Sequence, residues 1–207
     1  MVRSKSLVVK QLIVIVLVTV LGLAAGIAAL TAKSGTDIEA LAYKGGEQLG
    51  HRYAERAQAR LEDAMDAARF IATSLVSLKA SGRADRAQLS AWLKGIAESR
   101  PEFLGVWVGI EPNALDGRDA EFVNTPGSDK SGRFLPYWNR ASGKVDLEAI
   151  TGYDDPGPDG VYYQVPKRTK RAMVVEPYAY MVAGKSVLMV SMAVPIVEND
   201  RVIGVAG

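Results

Sequence analysis

The sequence predicts an α+β domain: an antiparallel sheet with a long N-terminal helix, preceded by one transmembrane helix. Three observations predict it. An uncharged run lies near the N-terminus, a long proline-free stretch carries apolar residues at helical spacing, and the C-terminal part alternates with a period of two. The last three apolar runs follow one another with only short turns between them. With no helical crossovers there, a doubly wound parallel sheet is not expected.

Residues 12–30 are nineteen in a row without a charge. As a helix they would cover roughly 28 Å, close to the apolar core of a bilayer. Arg3, Lys5 and Lys10 precede the run and Lys33 follows it. That bias predicts a cytoplasmic N-terminus over residues 1–11, a membrane helix over 12–32 and residues 33–207 outside the cytoplasm. The alternative is a cleaved signal peptide, but the run exceeds the usual apolar core of about 7–15 residues, and no clean cleavage site follows it. Both readings carry the remaining chain across the membrane.

Residues 36–80 contain no proline, and Leu49, Tyr53, Ala57, Leu61, Met65, Ala68, Ile71 and Leu75 recur on one helical face. Charged residues such as Arg52, Glu55, Arg56 and Arg60 fill the other positions, so one long amphipathic helix is expected. Such a stripe packs on its own domain, on a second copy of the chain, or on both, which makes a homodimer through this helix the expected assembly. Ser81-Gly82-Arg83 ends it. A second helix is expected over 85–99, with Leu89, Trp92, Leu93 and Ile96 on one face, closed by Pro101.

After Pro101 the pattern turns to strands. Residues 103–110 read as one, 120–124 as a short second, and 133–138 as a third with Pro136 at an edge or bulge. Residues 154–160 (DDPGPDG) form a loop, and 162–169 a short helix. Residues 172–182, 186–197 and 202–206 read as three successive antiparallel strands, turning at Gly184-Lys185 and Glu198-Asn199-Asp200.

Composition excludes several functions. The 25 basic and 23 acidic residues leave a net charge of +2, which gives no footprint for nucleic acid. There is no cysteine and a single histidine, His51, so thiol catalysis and a Cys- or His-rich metal centre are ruled out. No phosphate loop or nucleophile elbow occurs, and Asp154-Asp155 beside Pro-Gly-Pro is better explained as a turn than as paired catalytic carboxylates. The expectation is a non-enzyme without cofactor or metal.

Four stretches carry a family likeness: Trp107-Val-Gly-Ile110, Gly132-Arg-Phe-Leu-Pro-Tyr-Trp138, Tyr162-Tyr-Gln-Val-Pro-Lys167, and Glu176-Pro-Tyr-Ala-Tyr-Met-Val-Ala-Gly-Lys185 running on to Pro195-Ile196. In this order the chain resembles the double-Cache sensor domain of bacterial methyl-accepting chemotaxis proteins, over residues 36–207. The ending, residues 202–207, is similar to the strand linking the membrane-distal module to the proximal one. The resemblance implies a PAS-like sheet flanked by the long helix, in a periplasmic sensor region held in the inner membrane. It also implies a proximal module, a second membrane helix, a HAMP unit and a cytoplasmic output domain. None of these is found in the 207 residues, so a truncated piece is expected. Sensor regions of histidine kinases and diguanylate cyclases are similar, so the type of output stays open.

In this family small ligands sit in the distal module, between the sheet and the loop-helix insertion. Trp107, Arg133, Tyr137, Trp138, Tyr153, Asp154, Tyr162, Tyr178 and Tyr180 are the candidate ligand residues. Most of them, with Tyr163, fall within fewer than fifty positions. Pockets for small molecules are mostly aromatic and apolar with a few placed polar groups. Arg133 can grip a carboxylate through two parallel hydrogen bonds, and Asp154 can hold an amine. Amino-acid-sensing members have an arginine shortly before adjacent Trp and Tyr and a later aspartate. Here Arg133 precedes Tyr137-Trp138 at a different spacing and order, and Tyr180 stands at the aspartate's place. The expected ligand is therefore an organic acid, an amine or another small metabolite. A partner-binding module with no small ligand is the competing reading, supported by the amphipathic helix.

Overall fold

A computed structural model describes residues 2–207, with side chains described for 17–31 and 43–207. The chain divides into two units, Met1–Ala57 and Gln58–Gly207. The first is helical wherever it is described. Helix α1 runs Val2–Ala80. The membrane span expected over 12–32 lies partly outside the described side chains, and residues 17–31 alone are too few for a span. Among the described residues no helix is long and apolar enough to cross a membrane.

The second unit is α+β. After α1 come α2 (Arg86–Ser99), β1 (Gly105–Ile110), β2 (Pro136–Asn139), β3 (Asp146–Ala149), α3 (Val161–Thr169), β4 (Met173–Val182), β5 (Lys185–Glu198) and β6 (Arg201–Ala206). The six strands form one antiparallel sheet in the order β3-β2-β1-β6-β5-β4. Asp85 caps α2, its carboxylate accepting from the Gln88 amide at 2.9 Å. The two final turns are two-residue loops with positive φ throughout: Ala183 at 49° with Gly184 at 72°, and Asn199 at 48° with Asp200 at 61°. That is the mirror-image turn whose twist matches a hairpin. The first turn therefore sits one residue earlier than expected.

Alternation divides the sheet residues between two cores. Val106, Val108 and Ile110 of β1 join Ile71 and Leu75 of α1 and Leu89 and Leu93 of α2 on one face. Trp107, Tyr137, Val182 and Val205 join Tyr162 and Tyr163 of α3 on the other. Gly109 belongs to that second face, and a Cβ there would meet the Ile150 and Tyr163 side chains at 2.7 Å. The missing side chain lets α3 press its ring against the sheet.

Three expectations are corrected. Residues 120–124 do not form a strand; a 3₁₀ turn covers Asp119–Glu121. The Asp119 carboxylate accepts from the Asn113 amide at 2.7 Å and from Arg86 at 2.6 Å, which pins a local turn instead. Pro136 is neither on an edge nor in a bulge but opens β2, an inner strand. The first position of a strand is one that tolerates the missing amide proton. The edge strand β3 had no counterpart in the sequence reading, because Asp146-Leu-Glu-Ala149 lacks the β-branched and aromatic residues that mark strands.

Candidate functional site

A cavity of about 420 Å³ lies within the second unit, which is in the range of small-molecule sites. Trp107, Tyr137, Tyr162, Tyr178 and Tyr180 line it, together with Leu61, Ala64 and Ala67 of α1. Charged residues on its wall are Arg60, Asp63 and Glu102. Asp63 is paired to Arg100 at 2.6 Å.

Strand parity places the rings. In a strand, neighbours point to opposite faces, so Trp107 and Tyr137 share the α3 face while Trp138 turns to the other. On β4 the parity would be wrong without an irregularity. Val175 pairs with Ser191 and Tyr178 with Met189, so Glu176 and Pro177 form an extra step. This bulge at a proline puts Val175, Tyr178, Tyr180 and Val182 on one face. Across the hairpin Tyr180 faces Val187 and Tyr178 faces Met189.

The rings hold each other edge to face. Trp107 and Tyr162 have centroids 5.1 Å apart at 88°, Tyr162 and Tyr180 5.9 Å at 82°, and Tyr178 and Tyr180 6.1 Å at 75°. Three of the hydroxyls are hydrogen-bonded. Tyr162 donates to the Thr151 carbonyl at 2.7 Å, and Tyr178 shares a bond with Ser191 at 2.8 Å. The Tyr180 hydroxyl accepts from the Thr151 amide at 2.7 Å and donates to the Thr151 carbonyl at 2.9 Å. Since Thr151 follows the edge strand β3 and Tyr180 belongs to the edge strand β4, these bonds draw the two sheet edges together. The Ala183 amide, donating to Glu148 at 3.3 Å, adds to them. Burial raises the pKa of Tyr137 and Tyr178 above the usual phenol range, so both rings are neutral at neutral pH.

The other candidates stand apart from this cavity. The Trp138 indole donates to Ser90 at 3.1 Å, with the Lys94 ammonium 5.4 Å from its ring centroid, so it belongs to the α2 contact. Arg133, Tyr153 and Asp154 form a separate network. The Arg133 guanidinium, only 6% exposed, donates to the Ile110 carbonyl at 2.9 Å, the Tyr163 hydroxyl at 3.0 Å, Asp154 at 3.0 Å and Glu111 at 3.4 Å. It also stacks 4.4 Å from the Tyr153 ring centroid, and Tyr153 donates to Asp129. Tyr153 and Asp154 line a shallow depression with Asp129 and Thr151. Among the described residues there is no group of side chains that could hold a metal.

Glu111 and Lys167 complete the network and were missed in the sequence, where nothing in their spacing ties them together. Lys167 pairs with Glu111 at 2.6 Å, and the Tyr163 hydroxyl donates to it at 2.6 Å. Burial works to raise the Glu111 carboxyl, but the bonds from Lys167 and Tyr163 and the charge of Arg133 outweigh it and hold the group below 4.5. A folded-state value below the unfolded one contributes stability above the unfolded pKa and loses it as pH falls through the folded one. The melting temperature is therefore expected to fall as the pH is lowered through and below the ordinary glutamate range, and to fall less in Glu111→Gln. Equal acid slopes for both proteins would refute this.

The family described as methyl-accepting chemotaxis protein-like, first PDC sensor domain, matches residues 89–207. The methyl-accepting chemotaxis protein TlpQ of Pseudomonas aeruginosa is 36% identical over 133 residues, covering 59% of this chain and 19% of that receptor. Among solved structures, methyl-accepting chemotaxis protein X superposes with a TM-score of 0.70 at 25% identity, covering 82% of this chain and 62% of that one. The extracellular domain of mmHK1S-Z2, assigned as a histidine kinase, superposes with a TM-score of 0.69 at 35% identity, covering 80% of this chain and 59% of that one. The periplasmic sensory domain of the Campylobacter jejuni chemoreceptor Tlp1, at 14% identity and a TM-score of 0.57, shares the fold. The chain thus spans less than two thirds of the length of each of these relatives.

Proposed function

The chain belongs to the methyl-accepting chemotaxis protein-like family of first PDC sensor domains, and from that premise we propose that it binds a small metabolite outside the cytoplasm and signals across the membrane. The observation that carries the reading is the aromatic cavity, whose rings are oriented by one another before any ligand arrives. Preorganised rings of this kind lose little freedom on binding.

α1 is the physical route for the signal, since its residues Ala64 and Ala67 line the cavity while the same helix runs back toward the expected anchor over 12–32. A ligand biases a two-state helix arrangement only through its differential affinity for the two states. Leu49 and Tyr53 are exposed at 51% and 67%, which supports pairing of α1 with a second copy. The output domain would lie elsewhere in the full receptor. A chemotaxis output follows the TlpQ likeness, and a kinase output follows the mmHK1S-Z2 likeness.

The test is a thermal-shift screen of the detergent-solubilised chain against small acids, amines, amino acids and purines. A ligand at a hundred times its Kd should stabilise the protein by about 2.7 kcal/mol. Light scattering on the same sample should give a dimer. A well-folded chain that no metabolite stabilises would contradict direct sensing and favour a protein partner.

A further inference from the structure

α1 and α3 pack on opposite faces of the sheet. Ile71 and Leu75 of the first lie with Val108 and Ile196, and Tyr162 and Tyr163 of the second lie with Trp107 and Val205. The turn between β5 and β6 is reached from both faces. On one side Lys79, in the last turn of α1, pairs with Glu198 at 2.5 Å, and the two side chains are only 23% and 24% exposed. On the other side the Lys170 ammonium donates to the Asp200 carbonyl at 2.6 Å and to the Asp200 carboxylate at 2.8 Å. That carboxylate is 92% exposed, so the charge pair alone is weak. The bond to the carbonyl grips the backbone of the turn itself.

Backbone conformation singles out the same two residues. Lys170 ends α3 with φ at 57°, the left-handed position that glycine usually fills after a helix. Asp200 takes the second place of the turn with φ at 61°, where glycine is again the common residue. Glycine would cap the helix and close the turn with less strain, but it could not join them. The two side chains kept at these positions are bonded to each other. Strain retained at such a contact points to a role for the contact.

Granting the sensing role set out above, we propose that the β5–β6 turn links α3 to α1 around the end of the sheet. α3 carries Tyr162 into the cavity wall, so it is the helix a ligand would shift. One residue separates Glu198 from Asp200, and a turn this short cannot follow α3 without drawing on Lys79. Coupling of this kind is a free energy shared by both ends, so loosening one end loosens the other.

Hydrogen exchange of the detergent-solubilised full chain, read by mass spectrometry, tests the link. The reporters are the amides of Ser81, Gly82 and Arg83, which close the end of α1 on the Ser77, Lys79 and Leu78 carbonyls. Lys170→Gly removes the side chain from a position that suits glycine, so the variant should fold, and its melting curve checks this. It is expected to speed exchange at the end of α1 about threefold or more, with amides of α2 unchanged. Lys79→Met should do the same, and the double variant should exchange no faster than the faster single one. An unchanged α1 end in Lys170→Gly overturns the link. So do additive effects in the double variant, or faster exchange in α2 as well, which would mark a global loss of stability. No metabolite enters the measurement, so its failure leaves the sensing role standing, and silence in the metabolite screen leaves the mechanical link standing.

Discussion

Replacing Arg86 by methionine is expected to lower the unfolding free energy by about 3–5 kcal/mol. The first residue of α2 is only 6% exposed, yet it carries a full charge. Its Nε and Nη2 donate to the two oxygens of Asp116 at 2.8 and 2.7 Å, a bidentate pair. Nη2 also donates to Asp119 at 2.6 Å, and Nη1 to the Gly132 carbonyl at 2.7 Å. The guanidinium lies 4.2 Å from the Phe122 ring centroid. Methionine fills much of the volume but leaves Asp119, itself 5% exposed, without its cation. A total stability of about 5–15 kcal/mol makes such a loss a large fraction of the whole. Urea unfolding measures it, and a loss below about 1 kcal/mol would show the cluster to be solvated rather than buried. Adding Asp119→Asn should recover part of the loss, because the stranded charge is removed.

The long helix, α2 and the three final strands were legible because each repeats one period along its length. The candidate site was legible as a population of residues but not as a constellation. Its five rings were all named in advance, yet Trp138, adjacent to Tyr137, had to fall on the opposite face by strand parity alone. On β4 the parity depended also on the bulge at Glu176-Pro177, where two residues oppose one and Tyr178 and Tyr180 shift by one position relative to Val175. A one-residue change of register flips every side chain beyond it, and no local pattern announces such a step except the proline itself. Ser191, Val187 and Met189 could have been found from that same hairpin, once the turn at Ala183-Gly184 fixed the pairing. Glu111 and Lys167 could not, since more than fifty residues separate them and only the packing of α3 on β1 brings them to 2.6 Å.

Arg133→Met separates the two roles open to this arginine. In the sequence it reads as the grip for a ligand carboxylate, and loss of it would abolish binding. In the fold it is a brace: it ties the end of β1 at Ile110 to α3 at Tyr163 and to the loop at Asp154. Removal is expected to lower stability by about 3 kcal/mol, at the lower end for a broken buried pair. Glu111 keeps Lys167 at 2.6 Å and Tyr163, so it is not left bare, and Asp154 is largely exposed. Ligand affinity, measured at a temperature where the variant remains folded, should change by less than about threefold, because Arg133 does not line the aromatic cavity. A variant that folds with near-normal stability but no longer binds any ligand would return Arg133 to the site and move the recognition chemistry from the rings to the charge network around Glu111.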